Sequence, residues 1–368
     1  MKIVLATGIY PPAIGGPATY VENLARELHA AGHEVTVVTY GNRGLGVGGR
    51  ERNVVSVPLG FPILRWFAYA RVLRREACNA DIVYAFSSVS CGIPLWLSGV
   101  RKPKRVLRLG GDFLWERYTE RGGQKSLREW YGARGWLLVI SYWLLRQYDH
   151  IVFSTEFQKQ IYEEHYRILP KHSVIENAME PISQQQYTRN QKPYTPFRLL
   201  FMGRFVGFKN LFALIGAMTE LQDCVLTLVG EGPLDDALRD HAEELNLHHK
   251  VRFVGPVHGE EKRQIFARHD LLVLPSLTEI SPNTALEAAA SGLPVLLTEE
   301  HGLSEQLLSA IDVAPLQTPS QIAVAVRDVR EACAGMHHPG YAERPWNTVM
   351  KEHLNLFATL GDFSPKHA

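Results

Sequence analysis

The sequence predicts an α/β protein made of two doubly wound halves. Three observations carry this. Short apolar runs alternate with amphipathic helical stretches along the chain. The alternation is broken once by a polar, proline-containing stretch, EPISQQQYTRNQKPYTP, which begins at Glu180. Glycine turns follow several of the apolar runs, as expected where a strand hands over to a helix. The 368 residues suffice for two domains of ordinary size.

In the first half, Lys2 to Ala6 reads as a buried strand, Ala18 to Ala31 as an amphipathic helix, and Glu34 to Tyr40 as a strand closed by a Gly-rich loop. Val54 to Val57 is a short strand, followed by a helix around Leu64 to Ala77 and a strand at Asp81 to Ala85. Lys104 to Leu109 and His150 to Ser154 complete the series. The second half repeats the pattern with strands at Arg198–Met202, Cys224–Val229, Lys250–Val254, Leu271–Leu274 and Pro294–Leu297. Strands that alternate with helices imply parallel sheets with crossover helices. The expected division is a first domain over 1–180, a linker over 181–197, a second domain over 198–345 and a last helix at about Trp346 to Leu360. Two such domains are expected to face one another, with strand ends lining the cleft.

Composition excludes several classes. The chain is 46% hydrophobic and 21% charged, as in a globular protein. No apolar run reaches the roughly 18 residues that a spanning helix needs. The start, MKIVLATGIYPP, reads as a strand rather than a signal peptide. Four scattered cysteines (Cys78, Cys91, Cys224, Cys333) show neither metal nor redox spacing, so buried free thiols in the cytoplasm are expected. Net charge is +1, yet residues 1–180 hold 23 Lys and Arg against 16 Asp and Glu, a balance of +7. Residues 181–368 hold 16 against 22, a balance of −6. The basic first half is expected to meet something anionic.

The stretch EISPNTALEAAASG, Glu279 to Gly292, carries the most chemistry. It follows the strand Leu271–Leu274, and Ser281 suits an N-cap, Pro282 the first helical position and Gly292 the stop. The first turn, Ser281, Pro282, Asn283 and Thr284, would offer free N–H groups and the positive end of the helix dipole to an anion. Glu279 precedes that helix and Glu287 lies on its second turn. Carboxylates on either side of a phosphate site suit the hydroxyls of a sugar nucleotide. This segment, through Leu297, resembles the E-x7-E signature of retaining GT-B glycosyltransferases, family 4. The resemblance implies two Rossmann-like domains, with Glu279 on the donor sugar, the 281–284 backbone on the phosphates and Glu287 on the ribose. It also implies that the last helix crosses back to the first domain.

Other motifs agree. Gly203-Arg204-Phe205-Val206-Gly207-Phe208-Lys209-Asn210 follows a strand and is similar to the family's GR-x(4)-KN pattern, in which Arg204 and Lys209 neutralise the donor diphosphate. Gly15 and Gly16, after the first strand, resemble the family's glycine loop, and the absence of GxGxxG argues against a nicotinamide cofactor. Gly230, in Val229-Gly230-Glu231-Gly232, and Val257, after the next strand, are placed by the resemblance beneath the nucleotide and beside its base. Where many relatives carry a histidine, this chain reads Gly110-Gly111-Asp112, so Asp112 is either a sugar- or acceptor-binding catalytic residue or a capping aspartate.

The resemblance implies a retaining transferase that moves a sugar from a nucleotide-diphosphate donor to a hydroxyl of a saccharide or lipid-linked saccharide acceptor. With no DxD motif, neither metal nor other cofactor is expected. A sugar-nucleotide epimerase or hydrolase, and a non-catalytic nucleotide-sugar-binding protein, are the alternatives. Phe61 to Ala77 interleaves arginines with aromatics, and Trp130 to Leu145 adds three tryptophans. Such stretches suit either peripheral contact with an anionic membrane or helix packing with arginines at the rim. No nucleic-acid-binding module accompanies them.

Overall fold

The structure, a computed structural model, describes residues 1–13, 16–41, 53–133, 135–178, 196–332 and 344–361. In chain order the first elements are β1 (Lys2–Ala6), α1 (Gly16–Ala30), β2 (Glu34–Tyr40), β3 (Val54–Val57), α2 (Pro62–Ala77), β4 (Ile82–Ala85) and α3 (Gly92–Leu97). They continue with β5 (Lys104–Leu109), α4 (Phe113–Glu120), α5 (Leu127–Gly132), α6 (Trp136–Leu145), β6 (His150–Phe153), α7 (Glu156–His165) and β7 (Lys171–Val174). A second series has β8 (Phe197–Met202), α8 (Leu211–Ala217), β9 (Cys224–Val229), α9 (Asp235–Glu244), β10 (Val251–Val254) and α10 (Gly259–Arg268). It ends with β11 (Leu271–Leu274), α11 (Asn283–Ala290), β12 (Val295–Thr298), β13 (Asp312–Ala314), α12 (Pro319–Ala332) and α13 (Trp346–Leu360).

The chain divides into two compact units. The first holds Met1–Phe113, Tyr131–Ala178 and Pro345–Ala368; the second holds Leu114–Trp130 and Met179–Arg344. In the first unit seven strands run in the order β3-β2-β1-β4-β5-β6-β7, all parallel. Leu5 lies between Val37 and Tyr84 in this register. A parallel sheet must be covered on both faces, which is why Leu5 and Tyr84 on one face and Val4 and Val83 on the other are all buried. Val349, Met350 and Phe357 of α13 pack into the same core.

The second sheet has six parallel strands in the order β10-β9-β8-β11-β12-β13. In each sheet the strand order reverses once, between β1 and β4 in the first and between β8 and β11 in the second. Helices leave a reversal point in opposite directions, so the loops there are left open for a ligand.

Several expectations are revised. The helix predicted from Ala18 starts at Gly16. The edge strands β7 and β13 were not anticipated, being short and only partly buried. Cys78 is exposed rather than buried, Cys91 and Cys224 are buried, and Cys333 lies outside the described residues. The linker expected over 181–197 lies almost wholly outside them too. Residues 114–130 come from the first half of the sequence, yet they join the second unit.

Candidate active site

The two loops at the reversal point of the second sheet hold most of the predicted site. After β8 the chain runs through Gly203 and Arg204 into a 3-10 turn over Gly207–Lys209. It then reaches Asn210, in the left-handed region at φ 54. Asparagine tolerates that backbone, and burial of its side chain fixes it. Asn210 Nδ2 donates to the carbonyls of Leu316 and Gln317, both at 3.1 Å. The turn thereby aims Lys209 inward, across the ring of Phe208 at 4.9 Å.

Lys209 Nζ meets Glu279 Oε1 at 2.5 Å, and Ser276 Oγ donates to the same oxygen at 2.6 Å. The Glu279 side chain is only 7% exposed. A carboxylate so enclosed is costly unless it is paired and hydrogen-bonded, and Lys209 and Ser276 supply the two partners. Its backbone is held as firmly. Glu279 N donates to Glu300 O and Gly302 N to Glu279 O, each at 2.8 Å, and Leu277 N donates to Phe208 O at 2.8 Å.

The loop after β9 supports the loop after β8 from beneath. Gly203 N donates to Val229 O and Phe205 N to Glu231 O. Gly230 has φ +144, and a Cβ there would lie 1.9 Å from Gly203 O. A Cβ on Gly232 would lie 2.4 Å from Phe205 O. Both positions therefore demand glycine for close approach of two backbones. Arg204, at the head of the supported loop, is exposed, whereas Val257 after β10 is buried.

The predicted N-cap is corrected. Pro282, at φ −79 and ψ 72, occupies the cap position, and α11 begins at Asn283. No side chain caps it; Asn283 N instead donates to Ser281 O at 3.0 Å. Pro282 cannot donate, and this tight turn ahead of it moves the helix start one residue on. Ser281, Asn283 and Thr284 are half-buried around that start. Glu287, on the helix, forms an ion pair with Lys262 of α10 and is 44% exposed.

Residues 114–130 buttress the same loops. A Cβ on Gly207 would lie 2.3 Å from Thr119 O, and the rings of Trp115 and Phe208 are 5.3 Å apart. Leu127 N donates to the buried Thr278 Oγ1 at 2.9 Å, one residue before Glu279. Burial raises the pKa of Glu300, offset in part by the Arg128 guanidinium.

The first-unit predictions fare differently. Gly16 is the first residue of α1, and Gly15 lies outside the described residues. Asp112 is buried, and its Oδ2 accepts bonds from Tyr131 (2.6 Å) and Tyr162 (2.7 Å). It is a hydrogen-bonding centre that ties α5 and α7 to the end of β5. Sequence reasoning missed Ser276, Lys262 and Thr278. Ser276 stands three residues before Glu279 and was open to notice; a lone helical lysine such as Lys262 carries no signal.

Family models match this arrangement along most of the chain. "Glycosyltransferase Family 4" matches residues 14–181 and "Glycosyl transferases group 1" matches residues 183–332. The chain belongs to this glycosyltransferase family and is an enzyme of that class. Glycogen synthase of Mycobacterium tuberculosis is 25% identical over 413 aligned positions, covering 100% of this chain and 97% of that protein. Alpha-monoglucosyldiacylglycerol synthase of Streptococcus pneumoniae is 24% identical, covering 80% of this chain and 70% of its own. In fold, the chain is similar to sucrose-phosphate synthase from Thermosynechococcus elongatus, with a TM-score of 0.77 at 18% identity over 98% of both chains. The fold is GT-B.

Proposed function

We propose that this glycosyltransferase uses the second unit as its donor site and acts with retention. The Lys209–Glu279 pair at the sheet's reversal point carries this reading. A nucleotide-diphosphate sugar would place its diphosphate between Arg204, Lys209 and the segment Ser281, Pro282, Asn283 and Thr284 that leads into α11. Two cations and oriented N–H groups stabilise the charge that develops there as the glycosidic bond breaks. That reading calls for no metal. Glu279 would hold the sugar hydroxyls, and Glu287 the ribose, with Lys262 sharing its carboxylate.

By the resemblance to the retaining family, an acceptor hydroxyl attacks the face that the diphosphate leaves. Its oxygen bonds to the anomeric carbon, the diphosphate takes the electron pair, and its phosphate oxygen takes the proton. The names of the two curated relatives, one polysaccharide-forming and one glycolipid-forming, support a saccharide or lipid-linked saccharide acceptor. Peripheral contact of the first unit with a membrane belongs to the same reading.

Glu279→Gln removes the charge but keeps the shape. Its transfer rate should drop by at least about 100-fold, the scale of losing one positioned electrostatic partner, while nucleotide affinity stays within a few-fold. Unchanged turnover in a folded variant would refute the role of Glu279. Release of free or epimerised sugar without acceptor product would favour the hydrolase or epimerase reading.

A further inference from the structure

Twelve of the 15 large apolar residues exposed among the described residues belong to the first unit. They are not scattered. Phe61 (79% exposed), Leu64 and Phe67 crowd the start of α2, and Trp136 (72% exposed), Val139 and Trp143 line the outer side of α6. Single exposed apolar residues are ordinary, but clusters of this size mark an interaction surface.

The topology brings the clusters together. The helices α2, α3 and α6 belong to crossovers that step the same way along the first sheet. Right-handed crossovers then put all three on one face. The crossover through α1 steps the other way, and α1 packs on α13. α2 packs on α3, and Trp96 of α3 meets Trp143 of α6 edge to face at 5.1 Å. Crossover helices run antiparallel to their strands. The first turns of α2 and α6 therefore lie toward the C-terminal edge of the sheet, where open α/β sheets take their ligands.

We propose that the outer faces of α2 and α6, on which Leu64, Phe67, Arg71 and Arg74 and then Trp136, Val139 and Trp143 are exposed, form one surface that seats the first unit on an anionic lipid bilayer. This deepens the acceptor reading above, since a lipid-linked acceptor would be met at that plane. Charge selects the partner. α2 carries Arg65, Arg71, Arg74 and Arg75 against the single acid Glu76. α6 has no charged residue, and the exposed Arg146 follows it. Residues 1–180 hold 23 Lys and Arg against 16 Asp and Glu. A second copy would bring the same arginines to the contact, whereas phosphatidylglycerol headgroups complement them. The 10 residues of α6 extend about 15 Å, half the hydrocarbon thickness, so the helix lies in the interface rather than across it.

The test is flotation of the whole protein with vesicles of phosphatidylcholine alone or mixed with phosphatidylglycerol. Binding should require phosphatidylglycerol and weaken with salt. Phe61→Ser/Leu64→Ser and Trp136→Ser/Val139→Ser should each lower the partition coefficient by about tenfold or more. These residues are exposed, so circular dichroism and donor-nucleotide binding should stay as in the parent. Absence of flotation, or flotation indifferent to both pairs, would overturn the proposal. So would a dimer in sedimentation velocity that both pairs dissolve, because the face would then belong to a second copy. Any of these failures leaves the donor-site reading standing, since nucleotide binding is measured separately.

Discussion

Glu279 combines an extended, doubly hydrogen-bonded backbone with a buried side chain shared between Lys209 and Ser276. Lys209 is the partner of that carboxylate and, on the proposed reading, the cation offered to the donor. Lys209→Met should lower kcat/KM by about 100-fold or more, and part of that loss should appear as a weakened nucleotide affinity. Steady-state kinetics with titrated nucleotide would separate the two. Gly230→Ala forces a Cβ onto a carbonyl 1.9 Å away at a φ of +144. It should destabilise by about 2 kcal/mol or more, read as a lower denaturant midpoint. His150 gives a pH signature. Burial lowers its pKa from 6.5 to about 4, so the fold holds it neutral. A depressed pKa means full stability above 6.5, with loss as pH falls from there through about 4. His150→Gln should flatten that part of a Tm-against-pH curve; an unaltered slope would assign the acid sensitivity elsewhere.

Among the elements, the best-read strands are those buried on both faces. β1 and β2 keep the bounds Lys2–Ala6 and Glu34–Tyr40, because wholly apolar or β-branched runs ended by turn residues leave little choice. β7, with the sequence KHSV, escaped because a short, polar edge strand carries no such pattern. The start of α11 escaped by one residue, since Ser281 and Pro282 suit a helix start by type while the local turn puts Pro282 at the cap. α6 misled in another way. Its run WLLVISYWLL reads equally as core or as surface, and only the fold shows that Trp136, Val139, Ile140 and Trp143 face outward. Residues 114–130 gave no sign that they join the second unit, for sequence neighbours do not report long-range packing. Their bond from Leu127 N to Thr278 Oγ1 makes a specific prediction. Thr278→Val leaves a buried N–H unpaired, which should cost about 1–3 kcal/mol and loosen Glu279 enough to lower kcat. A stable variant with parental kcat would reduce this segment to simple packing.

For the whole molecule, the sequence disclosed two parallel-sheet units and, in the second, two motif-bearing loops, E-x7-E and GR…KN, which lie where the strand order reverses. Reversal points gather ligand-binding loops from distant stretches of sequence, here 203–210 and 275–287. The first unit was less legible. Asp112 looked available in sequence and is enclosed by Tyr131 and Tyr162. Among the described residues no helix is long and apolar enough to cross a membrane. The exposed apolar turns of α2 and α6 are therefore a surface matter.

The most direct measurement is calorimetric titration of UDP, GDP, ADP and CDP into the parent protein, Lys209→Met and Glu287→Ala. One diphosphate should bind selectively to the parent and lose about tenfold or more in affinity in each variant, as expected when a charged hydrogen bond to the ligand is removed. Equal affinity in all three folded proteins would contradict the assignment of the donor site to the loops that Lys209 and Glu287 define.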